Sequence, residues 1–279
     1  PEGTMRDIYN WDSGEYLGQI REARQTYNVL GNINEHQVAI AETTFGGREE
    51  LVDLNGGIDY GNLIYIALQR SRTAREAIDV MTSLVAEYGY YSSGESFSIA
   101  DPNEAWILEM IGKGGKEKGA VWVAIRIPDD CISAHANQAR IRKFDMKDKE
   151  NVRYSKDVIK FARKMGYFDG KDEDFDFAAA YCPADFGGLR YCDARVWSFF
   201  NMFGEEDMNN YLAWAAGDAT AEPMPLYMKP KAPVSLKDMQ RGMRDHYEGT
   251  PFDITNDLGA GAYKMPYRPS PLSFEVDGK

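Results

Sequence analysis

Cys131, Cys182 and Cys192 are the strongest potential nucleophiles in this 279-residue chain, and each needs a base or cation to favour its thiolate. Cys131 follows Asp129 and Asp130, and neighbouring carboxylates raise a thiol pKa. Cys182 and Cys192 flank the turn Asp185-Phe186-Gly187-Gly188, with Arg190 and Arg195 near in sequence. Free cysteines are mostly small buried hydrophobes, and that plain reading leads for all three. His36, His135 and His246 are dispersed and match no HExxH or other metal spacing, and no CxxC pair is present. No metal site is therefore expected. The chain has no Walker loop and no GxSxG elbow, and Gly112-Lys113-Gly114-Gly115 reads as a hairpin, so no nucleotide or other cofactor is called for.

The elements that would position any such chemistry are legible in pattern. At 43% apolar and 13% aromatic residues the chain can bury a sizeable core. It carries 32 basic and 44 acidic residues, a net charge of −12, which disfavours nucleic acid or an anionic membrane as partner. No run approaches the roughly 18 to 20 apolar residues of a membrane span. Asn32 to Phe45 alternates as an interior strand, with Val38, Ile40, Glu42 and Thr44 on one face, and Gly46-Gly47 ends it. Tyr60 to Gln69 reads as a helix, and a Thr73 to Glu76 capping box opens a second one that stops at Gly89. Ser96 to Ala100, Ala105 to Ile111 and Ala120 to Ile127 form a β-meander with Trp106, Leu108 and Met110 on one face.

Further helices are expected over Lys156 to Met165 and Ser235 to Tyr247, and apolar density rises again from Ala194 to Phe200. Pro223, Pro225, Pro230 and Pro233 mark a surface connection, so the chain reads as one domain with a surface-like part from about residue 221 onward. Strand, helix pair and meander in that order give an α+β architecture.

Four segments carry a resemblance. Gly31 to Phe45, containing Asn34-Glu35-His36, resembles the Asn-Glu-His strand of the choloylglycine hydrolase and penicillin V acylase group, and still more that of PepD-type dipeptidases in the same N-terminal nucleophile superfamily. Ser96 to Trp106 resembles the dipeptidases' next hairpin, Val123 to Ile141 their Arg-Val-Pro-Asp-Asp and Asn-Gln strands, and Tyr247 to Asp253 their Glu-Gly-Thr-Pro segment. The resemblance covers nearly the whole chain. It implies an αββα sandwich with antiparallel sheets and hydrolysis of a dipeptide amide through a thioester on an N-terminal cysteine, whose own α-amino group serves as base.

This sequence opens Pro1-Glu2-Gly3-Thr4, so the expectation is a fragment truncated at both ends, without its nucleophile and inactive alone. By resemblance, Asn137 matches an oxyanion donor and Arg195 an arginine bracing the site, while Thr44 stands where a backbone N–H is the second oxyanion donor. The relatives have Asn at the Thr44 position, which puts a side-chain role there in doubt. Asn34, in the Asn-Glu-His motif, is assigned to substrate binding on the same basis. From its strand face, Glu42 is a candidate for the substrate ammonium, with Arg48 as the plainer partner. The expected partner is a dipeptide or small peptide. A homo-oligomer is allowed, and a signal peptide upstream would make the protein secreted or periplasmic. Two rival functions are an acylase of bile-salt or β-lactam amides and a non-catalytic peptide-binding domain.

Overall fold

A computed structural model describes residues 3–115, 117–256 and 263; the Pro1 start and nearly all of the chain after residue 256 lie outside the described residues. The chain begins with an antiparallel hairpin, β1 (Met5–Tyr9) and β2 (Tyr16–Arg21). Next come the short strands β3 (Val29–Leu30) and β4 (Ile33–Asn34), then β5 (Ala39–Gly46). Helices α1 (Tyr60–Arg70) and α2 (Ala74–Tyr88) follow. The meander is β6 (Gly94–Ala100), β7 (Ala105–Gly112) and β8 (Ala120–Ile127). Short β9 (Ile132–Ser133) and β10 (Val152–Tyr154) precede α3 (Val158–Met165), α4 (Phe177–Tyr181), α5 (Ala194–Phe203) and α6 (Leu212–Ala215). The last described elements are β11 (Tyr227–Met228) and α7 (Leu236–Gly242).

One antiparallel sheet, ordered β10-β8-β7-β6-β5-β4-β3, organises the rest. Period-two alternation gives it two packed faces. Ile40, Phe97, Ile99, Trp106, Leu108 and Met110 point to one side, where Leu63, Ala67, Ala77, Met81 and Val85 of α1 and α2 close a core. Ile107, Ile111, Val121 and Val123 point to the other side, against Ile141, Phe161, Phe177 and Tyr181. A third cluster joins Ala136 to Leu189, Trp197 and Phe200 of the α5 region, and to Met224, Met228 and Phe252. The expected α+β layering of helices on antiparallel strands is what the chain adopts, and the proline-rich connection contributes buried methionines to it.

Three local readings need correction. The strand expected over Asn32 to Phe45 is broken, because Asn34 Oδ1 accepts the N–H groups of His36 and Val38 and turns the chain, with Gln37 at φ 63°. Its interior placement is only partial, since β5 pairs along its length with β6 but with β4 at Ala39 alone. The Thr73 cap forms, but Glu76 reaches the Arg72 N–H instead of closing a box on Thr73. Finally, α7 stops at Gly242, well short of Tyr247, because none of its residues is buried to hold a longer helix beyond the Ser235–Asp238 capping box at its start.

Candidate active site

Asn137 sits at the tip of a three-residue turn in which the Gln138 N–H donates to the Ala136 carbonyl at 2.8 Å. Its carboxamide is held on both sides. The Arg195 guanidinium donates to Asn137 Oδ1 at 2.8 Å, and Asn137 Nδ2 donates to the Thr44 carbonyl at 2.6 Å. An arginine can only donate, so this pair fixes which end of the amide is oxygen and which is NH2. One Nδ2 hydrogen goes to Thr44, and no acceptor for the other occurs among the described residues. The structure thus brings together Asn137, Arg195 and the Thr44 backbone, three positions that lie far apart in sequence.

The edge of β5 beside them is open. Ile40 donates its N–H to the Asn32 carbonyl at 3.0 Å, away from β6, and strand alternation turns the backbone groups of Glu42 and Thr44 the same way. Beyond Ala39 no strand among the described residues pairs with that edge.

Arg195 comes from α5, entered through a π-helical turn over Gly188–Asp193, and it also donates to the Tyr191 carbonyl. A Cβ on Gly188 would lie 2.0 Å from Gln138 Oε1, so any other residue here would displace the Gln138 carboxamide. Gln138 in turn donates to the Cys182 carbonyl at 3.0 Å. Beneath the turn, the buried Glu109 carboxylate accepts from the N–H groups of Arg140 at 2.6 Å and Ile141 at 3.0 Å, and from Ser96 Oγ at 3.1 Å. Burial raises its pKa to about 7, against the pull of those two N–H groups. Arg140, also buried, donates to the Ala134 and Pro225 carbonyls and lies 3.9 Å from Asp193, whose pKa burial pushes up.

A cavity of about 200 Å3 opens beside Asn137, lined by Gly47, Gln138, Cys182, Asp185, Gly188 and Cys192 among others. Cys182 is 5% exposed, and burial holds its thiol up at about 11, so it stays protonated. Cys131 is likewise raised, first by burial and then by its hydrogen bond to Asp130. Asp185 is the wall residue that sequence reasoning passed over; its Oδ1 caps the Gly188 N–H at 2.7 Å, and its one signal was the adjoining glycine pair. A larger cavity, about 690 Å3, contains Arg126, Arg140, Arg142 and Lys143. Each of those cations already faces a carboxylate.

Glu42 and Asn34 are not brought to Asn137. Glu42 and the Thr44 side chain point to the helix-facing side of the sheet. There Thr44 Oγ1 donates to Glu95 at 2.8 Å, and Glu95 faces Glu42. Arg48 is not the Glu42 partner: its Nε donates to the Ala180 carbonyl, and its guanidinium stacks on Tyr167 at 3.9 Å. Asn34 is buried with its carboxamide fully used, donating to Leu68 and Ser71 carbonyls and accepting from His36 and Val38. No donor is left on it for a substrate.

The family model for peptidase family C69 matches residues 1–276. The chain belongs to peptidase family C69. Among curated relatives it is 28% identical over 265 residues to a probable dipeptidase of Salmonella dublin, covering 91% of this chain and 55% of that protein. It is 30% identical over 234 residues to a dipeptidase of Bifidobacterium longum (strain NCC 2705), covering 77% and 40%. To dipeptidase A of Lactobacillus helveticus it is 26% identical over 246 residues, covering 85% and 48%. This C69 chain thus spans about half the length of the curated relatives it matches. No described helix is long and apolar enough to cross a membrane, and the described residues of this C69 chain contain no cluster of three metal-ligating side chains.

Proposed function

We propose that the protein containing this chain is a cysteine-type dipeptidase whose nucleophile is an N-terminal cysteine outside these residues. The observation that carries the reading is the Arg195–Asn137–Thr44 array standing on an unpaired edge of β5. A strand laid along that edge would bring its end beside two neutral donors, the free Nδ2 hydrogen of Asn137 and the Thr44 N–H. The cysteine sulfur would attack the peptide carbonyl carbon while the α-amino group of the same residue, of pKa about 7.7 to 8.0, takes the thiol proton. The carbonyl oxygen, now an oxyanion, would accept from Asn137 and Thr44. Collapse of the tetrahedral intermediate expels the amine with that proton, and water then hydrolyses the thioester.

Arg195 acts through Asn137 by fixing its amide plane. Of the two carboxylates at hand, Asp185 shares the cavity wall with Asn137 and is the better counter-ion for a substrate ammonium. Glu42, on the other face of the sheet, keeps that role only if the substrate reaches around the strand edge.

The full-length protein, its nucleophile→Ala variant and Asn137→Ala are to be assayed on unblocked and N-acylated dipeptides. Turnover of unblocked dipeptides, abolished without the nucleophile and reduced roughly 10²- to 10³-fold in kcat by Asn137→Ala, is expected. Equal turnover by all three proteins would sink the mechanism. Turnover of N-acylated substrates alone would point to an acylase, and binding without turnover to a peptide-binding domain.

A further inference from the structure

His135, two residues before Asn137, has no part in that chemistry, yet its ring is held at both nitrogens. Nδ1 lies 2.6 Å from Thr43 Oγ1 on β5, and Nε2 lies 2.6 Å from Ser98 Oγ on β6. Thr43 Oγ1 is also 2.8 Å from the Ala136 carbonyl, the same oxygen that accepts the Gln138 N–H in the Asn137 turn. A carbonyl only accepts, so the single Thr43 proton is committed to Ala136, and Thr43 must accept from the ring. The ring proton is therefore on Nδ1. A neutral imidazole has one, so Nε2 is bare and Ser98 donates to it. With the ring uncharged, this arrangement of protons satisfies every group.

We propose that His135 is a positioning residue that, locked as the Nδ1–H tautomer between Thr43 and Ser98, fixes the Ala136–Gln138 turn and with it the Asn137 amide. The catalytic consequence rests on reading Asn137 as an oxyanion donor; the lock does not. Surroundings agree with the geometry. Burial, and then the charge of Arg140, hold the His135 pKa down to about 4. Cys131 lines the same cavity of about 190 Å3 as His135. Protonation would place a second N–H against Ser98, whose hydroxyl would have to turn away, and add charge beside Arg140.

The decisive measurement is nitrogen-15 NMR of histidine in the full-length protein, with His135→Asn identifying the signals. A protonated Nδ1, a bare Nε2 and no titration above about pH 5 are expected. An Nε2–H tautomer, or titration near the ordinary value, overturns the proposal.

Thr43→Val, which keeps shape but removes both hydrogen bonds, should shift the Asn137 side-chain amide signals. It should also lower kcat about 10- to 100-fold with KM within about twofold, and Thr43→Ser should restore both. A folded Thr43→Val protein with unchanged Asn137 signals overturns the proposal as well. An intact lock in a protein that hydrolyses no dipeptide sinks the functional reading alone.

Discussion

Strands β5, β6 and β7 bury polar side chains on both of their faces, and the two faces use them differently. On the side away from α1 and α2, Thr43, Ser98 and Glu109 hydrogen-bond the segment from His135 to Ile141, and Ser96 donates to Glu109 behind it. On the helix side, Thr44 bonds Glu95, and Glu95 and Glu42 face each other, each with one buried oxygen that meets no other donor. Burial, and then the neighbouring Glu42, push the Glu95 pKa up to about 9. A buried carboxylate aimed at the backbone of another segment positions that segment. Two carboxyls aimed at each other position nothing, and they tie stability to pH.

The largest break in this comparison comes from Glu109→Ala. It strips acceptors from two backbone N–H groups and the Ser96 hydroxyl in a site with no exposure, at a cost of roughly 3 to 5 kcal/mol. Urea unfolding of the two proteins measures it. A loss under about 1 kcal/mol would mean that the Arg140–Ile141 backbone is held by something other than Glu109.

This division between faces was only partly legible in the sequence. Helices α1 and α2 and the meander follow from local apolar periods and glycine stops, and they lie within a few residues of expectation. The Glu42 and Thr44 face was readable from alternation alone, but which face meets the Asn137 turn depends on chain far away in sequence, as the Asn137–Thr44 separation of 93 illustrates. Asn34 shows the converse difficulty. A carboxamide spent on a turn and a helix end is indistinguishable in sequence from one offered to a substrate. An isolated His135 outside any metal spacing reads as an ordinary hydrogen-bonding side chain, which it is; that its partners are hydroxyls on two different strands is not written in the local sequence.

A smaller effect sharpens the contrast at the carboxyl pair. The pKa of Glu95 in the folded state lies above its ordinary 4.5, so the stability it contributes is complete below that value and lost as pH rises through the raised one. His135 has the opposite sign. Lowered from 6.5 to about 4, it contributes stability that is complete above pH 6.5 and lost as pH falls toward 4. Thermal melts across pH 4 to 9 should therefore show Glu95→Gln removing part of the alkaline decline, and His135→Asn removing part of the acid one. Parallel Tm-against-pH curves for Glu95→Gln and the parent protein would mean that the Glu95 pKa is not raised in the folded state.

The smallest expected effect separates the side chain of Thr44 from its backbone. Thr44→Val keeps the branched shape and the strand, so the Asn137 bond to the residue-44 carbonyl and the N–H on the open edge survive. What it loses is one hydrogen bond to a largely neutral carboxyl on the far face, about 0.5 to 1.5 kcal/mol of stability. In the full-length protein kcat and KM should stay within about twofold of the parent values. A fall in kcat comparable to that of Asn137→Ala, at unchanged stability, would carry the influence of the helix-side carboxyl pair through the strand to the site, and the two faces would then be one device instead of two.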